Sequence, residues 1–318
     1  MKKLFFLMAL CISTISQAAT EIRVLSQPGQ SSNQPLLYAT TKHFERITKD
    51  KNLDVKIVYQ PMGASSDAVR SMLAGNTDII MSAIDTFTLA NDRDPGRLLL
   101  MSGSMSQAMD LICSNPSIKT PNDIKSHHRI AMKNLGSSEH YLIRQISKKY
   151  KGTYDAFDGN LVAIPRPQIA ALMSAKKNTI DCAIPGTPLQ ASLVSQGHAH
   201  TVFSSDNRTV FGNVHATYSR REWLEKNPQL AEMWIRAVDL ASKDIARDPR
   251  SAIEEFRTKD GVKDSTNDIA EIFKKVNQRH GIQFVGVMEK IKIMHDIGSI
   301  KNLPSGINVL VWRPELLK

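Results

Sequence analysis

The sequence predicts an α/β protein of two lobes, each a mostly parallel sheet flanked by helices, with a cleft between the lobes. Apolar strand-like runs alternate with segments of helical periodicity, and this alternation begins near residue 22 and begins again near residue 129. The two halves also resemble each other, because each places an Asn-Thr-containing turn before a strand with an Ala-Ile step. A chain of 318 residues is long enough for two such cores.

The first half is expected to hold three strands separated by two helices. The strands are predicted at 22–25, 55–59 and 78–84, and the helices run through 36–44 and 68–73. Gly75 follows the second helix at the position where a left-handed residue commonly ends one. This order is typical of a parallel sheet with helical crossovers.

The second half repeats this order, and the C-terminal third is predicted to be helical. Strands are expected at 129–132, 161–164 and 181–184, with helices at 138–150 and 169–175. From Leu230 to Ile245 apolar residues recur at helical spacing, and Pro228 suits the first turn of that helix. We interpret this stripe, including Trp234, as core packing. Further helices are predicted at 269–276 and 287–295.

The first 18 residues have the pattern of a secretion signal. Lys2-Lys3 precede an apolar run over 4–15 and then small residues, so we expect cleavage after Ala18 or Ala19 and an exported protein. The apolar run is too short for a permanent transmembrane helix. Cleavage would leave Cys113 and Cys182, which either form a disulfide or remain two buried thiols.

Composition and motifs exclude several function classes. The chain is 42% hydrophobic and 23% charged, which is typical of a globular protein rather than a disordered one. Its net charge is +10, but no run of five like charges occurs, so we expect no nucleic-acid partner. The sequence lacks GxSxG, HExxH, GxGxxG and any Gly-Lys pair, and its histidine pairs lack further metal ligands. We therefore predict no catalytic residues, no metal and no cofactor.

A polar turn recurs where a strand gives way to a helix. Helix N-termini expose N–H groups and the positive end of the helix dipole, so such turns bind anions without a formal cation. N-capping by serine explains any one of them, but three at the carboxyl ends of strands predict a ligand cleft. The three turns are Gln30-Ser31-Ser32, Gly63-Ala64-Ser65-Ser66 and Gly136-Ser137-Ser138.

Three segments resemble motifs of one family. Residues 69–78, VRSMLAGNTD, are similar to the "LLAGxxD" segment of nitrate/sulfonate/taurine-type periplasmic substrate-binding proteins. Residues 118–125 resemble the "IKTPxDLKGKK" segment of that family, and 297–301 resemble its "IGxIK". The order and spacing hold across nearly the whole mature chain. The broader group includes binders of thiamine-pyrimidine precursors with the same fold.

The resemblance implies a type II periplasmic-binding-protein fold in which two strands link the lobes. These strands would lie near 109–114 and 213–219, so lobe one would comprise 20–111 plus 215–318 and lobe two 112–214. The resemblance also implies a monomeric, periplasmic protein that delivers a small-molecule solute to an ABC transporter permease in the inner membrane.

Ligand-binding residues are predicted on both sides of the cleft. Asp85 and Glu139 disfavour nitrate or a bare sulfonate and favour a solute with an amine or a hydrogen-bonding ring. Arg166 would meet a carboxylate or sulfonate at the cleft edge, or else lie on the surface. The predicted ligand residues are Ser31, Ser32, Gly63, Ala64, Ser82 and Asp85 in lobe one, and Gly136, Ser137, Ser138, His140 and Thr187 in lobe two.

Two other functions remain open at this level. The same lobe pair serves an exported sensor that binds a protein partner, and related folds serve as enzymes of precursor biosynthesis. The signal sequence and the missing nucleophile–base and metal patterns argue against an enzyme. Among solutes, the residues do not separate sulfonate, amino-sulfonate such as taurine, carboxylate and pyrimidine.

Overall fold

A computed structural model describes residues 19–28, 32–62, 65–175, 179–187, 189–205 and 212–317. The predicted signal peptide lies outside these ranges, as do Ser31, Gly63 and Ala64 of the predicted site. Within the described ranges, none of the helices combines the length and the apolar character needed to cross a bilayer.

Strands and helices alternate as predicted over most of the described chain. The strands are β1 (Thr20–Ser26), β2 (Val55–Pro61), β3 (Ile80–Ala83), β4 (Leu98–Gln107), β5 (Asp110–Cys113), β6 (Ile130–Met132), β7 (Leu161–Ala163), β8 (Cys182–Ala183), β9 (His200–Ser204), β10 (Asn213–Arg220) and β11 (Arg279–His280). The helices are α1 (Gln34–Asp50), α2 (Ser65–Leu73), α3 (Ile84–Arg93), α4 (Ser138–Lys151), α5 (Arg166–Ser174), α6 (Leu189–Ser195), α7 (Arg221–Lys226), α8 (Pro228–Arg247), α9 (Arg250–Asp260), α10 (Thr266–Lys275) and α11 (Val287–Asp296).

The strands form three sheets that define two lobes. The first lobe contains the parallel pair β1–β2 and the sheet with order β11-β4-β10-β3, together with α1–α3 and α7–α11. The second lobe contains the sheet with order β7-β6-β8-β5-β9 and α4–α6. The two-lobe α/β fold predicted from sequence is therefore confirmed. The residue boundaries proposed above, between 111 and 112 and between 214 and 215, stay a proposal.

Parallel pairing is confined to part of each lobe. β6 pairs parallel with β7 and β8, whereas β5 runs antiparallel to β8 and β9. In the first lobe β10 runs antiparallel to both β3 and β4. The sequence pattern predicted mostly parallel sheets because strand–helix alternation reports only βαβ units. The antiparallel pairs all involve β4, β5 or β10, the strands at which the chain leaves the first lobe or returns to it.

The first lobe has a core around α8, as the apolar stripe predicts. Trp234 has no exposed surface, and its ring centroid lies 5.3 Å from that of Phe44 in α1. The structure therefore confirms that Trp234 packs in the core, as the sequence predicts. The elements that were not predicted include α3 and β4. The run expected to be a strand as far as residue 84 ends at Ala83, and a helix begins at Ile84 directly afterwards.

The two mature cysteines form a disulfide. Cys113 in β5 is the register partner of Cys182 in β8, and both are fully buried. The sequence allowed either a disulfide or two buried thiols, and the structure has the disulfide. The bond joins two strands of one sheet across 69 residues of sequence.

Candidate functional site

A cavity of about 240 Å³ lies between the two lobes. The first lobe lines it with Gln27, Ser32, Ser66, Ser82, Ala83, Asp85, Thr86, Leu89, Gln107 and His215. The second lobe lines it with Lys133, Asn134, Leu135, Gly136, Ser137, Ser138, Glu139, Arg166, Gly186 and Thr187. Met109 completes the lining between β4 and β5. The cavity therefore occupies the place where the sequence predicts a cleft.

Several helices begin at this cavity. Ala83 and Ser137, the N-cap residues of α3 and α4, both line it. Ser32 lies just before the N-cap of α1, and Arg166 is the first residue of α5. Because helix N-termini concentrate N–H donors and positive dipole charge, their convergence favours a ligand with an anionic group.

Most of the predicted ligand residues within the described ranges line the cavity. They are Ser32, Ser82, Asp85, Gly136, Ser137, Ser138 and Thr187. His140 is not among the described residues that line the cavity. Its Nδ1 accepts a hydrogen bond of 3.0 Å from the Gly136 N–H, so its ring supports the turn that precedes α4. A ligand contact by His140 stays a prediction.

Arg166 lies at the cavity and pairs with a buried acid. Its Nη2 donates to Glu139 Oε1 at 2.7 Å, and the Glu139 side chain is only 5% exposed. Burial raises the pKa of Glu139, but the charge and hydrogen bond of Arg166 outweigh it, so the pKa is lowered overall. Sequence reasoning did not pair these residues, because no local pattern connects positions on α4 and α5.

Gly186 brings the backbone close to the Arg166 guanidinium. Its φ is +76°, and a Cβ placed there would lie 3.0 Å from Arg166 Nη2. A larger residue here would be strained by the positive φ and would crowd the guanidinium. Gly197 offers a comparison, since its φ is +70° and a Cβ there meets nothing within 4 Å.

We expect Gly186→Ala to weaken solute binding while Gly197→Ala does not. Each change costs about 1 kcal/mol of stability because alanine disfavours a positive φ. Only at position 186 does the new methyl group displace the guanidinium that faces the cavity. Calorimetric titration of both variants beside the wild type measures the difference. Equal affinities in the two variants would contradict this role of Gly186.

Besides Asp85 Oδ1, which lies 3.6 Å from Lys290 Nζ, three buried polar atoms at the cavity have no hydrogen-bond partner among the described residues. They are Gln107 Oε1, Thr187 Oγ1 and His215 Nδ1, in residues that are only 1%, 4% and 5% exposed. Leaving such a group unpaired costs about 1–3 kcal/mol, so three around one cavity point to a ligand that satisfies them. Gln107 and His215 carried no sequence signal, because both lie within strands.

His215 meets the cavity as a neutral ring. Burial, and then the positive charge of Arg166, lower the pKa of His215 to about 3. A neutral imidazole donates one hydrogen bond and accepts one. The site therefore combines this ring with the charged pair of Arg166 and Glu139 on the opposite lobe.

The arrangement of the two lobes around the cavity identifies the fold class of this chain. Two α/β lobes around a polar cavity form the periplasmic binding protein fold, and solved structures agree. The aliphatic sulphonate binding protein SsuA from Escherichia coli is 15% identical and has a TM-score of 0.72, with 95% of this chain and 100% of that chain covered. The alkanesulfonate-binding SsuA from Xanthomonas axonopodis pv. citri, bound to MOPS, is 16% identical with a TM-score of 0.72, covering 92% and 98%.

A third structure and a family match extend the comparison. The nitrate-binding protein NrtA from Synechocystis is 14% identical with a TM-score of 0.70, and 94% of this chain and 87% of that chain are covered. Residues 32–252 match the sequence model of the family described as NMT1/THI5 like. The chain belongs to the NMT1/THI5-like family. A search of curated protein sequences returned no match.

Proposed function

We propose that this protein is the solute-binding component of an ABC-type importer and holds a small polar solute between its lobes. The three unpartnered polar atoms at the cavity carry this proposal, since a bound solute would satisfy them. The fold supports it, because two of the similar structures named above, SsuA from Escherichia coli and NrtA, are described as periplasmic binding proteins. We propose binding without chemical turnover.

The solute that suits this cavity is anionic or zwitterionic, with a sulfonate-like, taurine-like or pyrimidine-like framework. Arg166, Lys133 and the N-terminus of α4 favour an anionic group on one side. From the first lobe the Asp85 carboxylate, which also accepts a hydrogen bond from the Ser138 hydroxyl, would accept one from an amine or a ring N–H of the solute. Cationic and carboxylate groups at one cavity favour a solute that carries both an acid and an N–H donor.

The proposed location follows from the leader sequence. Residues 1–18 direct export to the periplasm, where cleavage after Ala18 or Ala19 releases the mature chain. There it acts as a monomer and hands the solute to a permease in the inner membrane. Closure of the lobes around the solute is the conformational signal, because both lobes contribute lining residues.

A thermal-shift screen of the mature protein tests this function. The panel holds aliphatic sulfonates, taurine, nitrate, aromatic acids and pyrimidine precursors. A solute at 100 times its dissociation constant is expected to stabilise the fold by about 2.7 kcal/mol. A solute that is chemically altered during the assay would instead indicate an enzyme. No stabilisation across the panel would favour a sensor that binds a protein partner.

We expect Thr187→Val to lower affinity for the screened solute about threefold to tenfold, the value of one hydrogen bond. The unliganded protein should be no less stable, since valine removes a buried hydroxyl that has no partner in the described structure. Thr217→Val is the matched control, because its hydroxyl is equally buried and unpartnered there but lies away from the cavity lining. Equal loss of affinity in both variants would count against Thr187 as a ligand contact.

A further inference from the structure

Lys290 is a fully buried lysine in α11, with an exposed fraction of 0%. Its Nζ lies 3.6 Å from Asp85 Oδ1 and 3.5 Å from the Gly212 carbonyl oxygen. It also lies 5.4 Å from the centroid of the Tyr141 ring, which belongs to α4 of the second lobe. A buried ammonium is costly unless it is paired, so the placement of this lysine requires the Asp85 carboxylate.

Asp85 is held by both lobes. Its Oδ2 accepts a hydrogen bond from the Ser138 hydroxyl of the second lobe, and Lys290 of the first lobe faces Oδ1. Oδ1 has no hydrogen-bond partner within the described ranges, although the side chain is only 2% exposed and Asp85 lines the cavity. The carboxylate therefore keeps accepting capacity at the cavity wall.

We propose that Lys290 is a positioning residue of the solute site, which holds Asp85 as an ionised acceptor for an N–H group of the solute. Lys290 itself does not touch the solute in this arrangement. It acts through Asp85, and it links α11 to the contact between α3 and α4. The solute part of this proposal rests on the proposed function, whereas the state of Asp85 can be measured without any solute.

The charge balance around Asp85 explains why a cation is needed. Burial raises the pKa of Asp85, and the Glu139 carboxylate on α4 raises it further, whereas Lys290 and the Ser138 hydroxyl lower it. The other titratable groups facing Asp85 are Tyr141 on α4 and Tyr218 on β10, whose own pKa values burial raises. Without Lys290 none of these groups opposes burial by positive charge, so the pKa of Asp85 would rise further and its ionised form would be less favoured.

The test compares Lys290→Met with Lys292→Met, which removes an exposed lysine two residues away on the same helix. At pH 7 without solute, Lys290→Met is expected to lower the melting temperature by about 5–10 °C relative to the control. The deficit should shrink toward pH 5. A carboxyl whose folded pKa is raised is most stabilising below its unfolded pKa, and its contribution is lost as pH rises through the folded value.

A double variant separates positioning from packing. Asp85→Asn/Lys290→Met removes both charges, so its melting temperature should recover most of the loss. With taurine and ethanesulfonate as probes, Lys290→Met should weaken taurine about tenfold more than ethanesulfonate, which lacks the amine.

The results separate the role of Lys290 from the chemical class of the solute. A deficit that is the same at every pH and is not recovered in the double variant would overturn the role of Lys290. If the wild type binds neither probe while the pH-dependent deficit appears, Lys290 still holds Asp85 ionised. In that case the assignment of an amine-bearing solute fails.

Discussion

Replacing Cys113 and Cys182 together by alanine is expected to lower the free energy of unfolding by about 4 kcal/mol. The disulfide closes a loop across 69 residues, so its loss greatly increases the freedom of the unfolded chain. Alanine keeps both fully buried positions apolar. Chemical denaturation of the variant and the wild type measures the difference.

Reduction gives an independent control for this prediction. Wild-type protein unfolded in the presence of a thiol reductant should show a loss similar to that of the double alanine variant. The reductant should have no effect on the variant. A loss below about 1 kcal/mol in both experiments would contradict a disulfide that stabilises the second lobe.

Replacing Arg166 by glutamine is expected to reduce affinity for an anionic solute about 10- to 150-fold, the value of a hydrogen bond to a charged group. The change removes the cation at the cavity wall and leaves the Glu139 carboxylate, 5% exposed, without its partner at 2.7 Å. Stability should also fall, by about 2 kcal/mol, because a buried pair is broken but Arg166 is 22% exposed. Calorimetric titration and chemical denaturation give the two values.

The matched control is Arg144→Gln. Arg144 is also 22% exposed and paired with an acid, Asp158, but it lies outside the cavity lining defined by the described residues. It should change stability without a comparable change in affinity. An equal loss of affinity in both arginine variants would contradict the placement of the anionic group beside Arg166.

The pH dependence of Arg166→Gln has a definite sign. In the wild type the pKa of Glu139 is lowered, so its pairing stabilises the fold above the unfolded pKa near 4.5, and this contribution is lost as pH falls through the lowered value. In the Arg166→Gln variant, burial is no longer opposed by this arginine and therefore raises the pKa of Glu139. The stability deficit of the variant is therefore largest near neutral pH and shrinks on acidification.

Local patterns in the sequence predicted the parts of this fold that depend on local physics. Alternation of strands and helices indicated the βαβ units, and helical spacing indicated α8 with its buried Trp234. Gly152 caps α4 in the left-handed conformation, as a glycine after a helix suggests. The serine turn at 136–138 was also recognisable, because capping residues act on their immediate neighbours.

Contacts between distant residues could not be predicted in the same way. Asp85 and Lys290 are far apart in sequence, and only the packing of α3 against α11 brings them together. The antiparallel direction of β10 arises because the chain returns from the second lobe, which no local periodicity records. His215 reads as an ordinary strand residue until β10 places it at the cavity.

The central claim is that a small solute occupies the cavity between the lobes. The most direct measurement is a crystal structure of the mature protein with the best solute from the thermal-shift screen. We expect the solute between the lobes, with polar atoms within hydrogen-bond distance of Thr187 Oγ1, His215 Nδ1 and Gln107 Oε1. A solute bound elsewhere, with the cavity holding only water, would contradict the account.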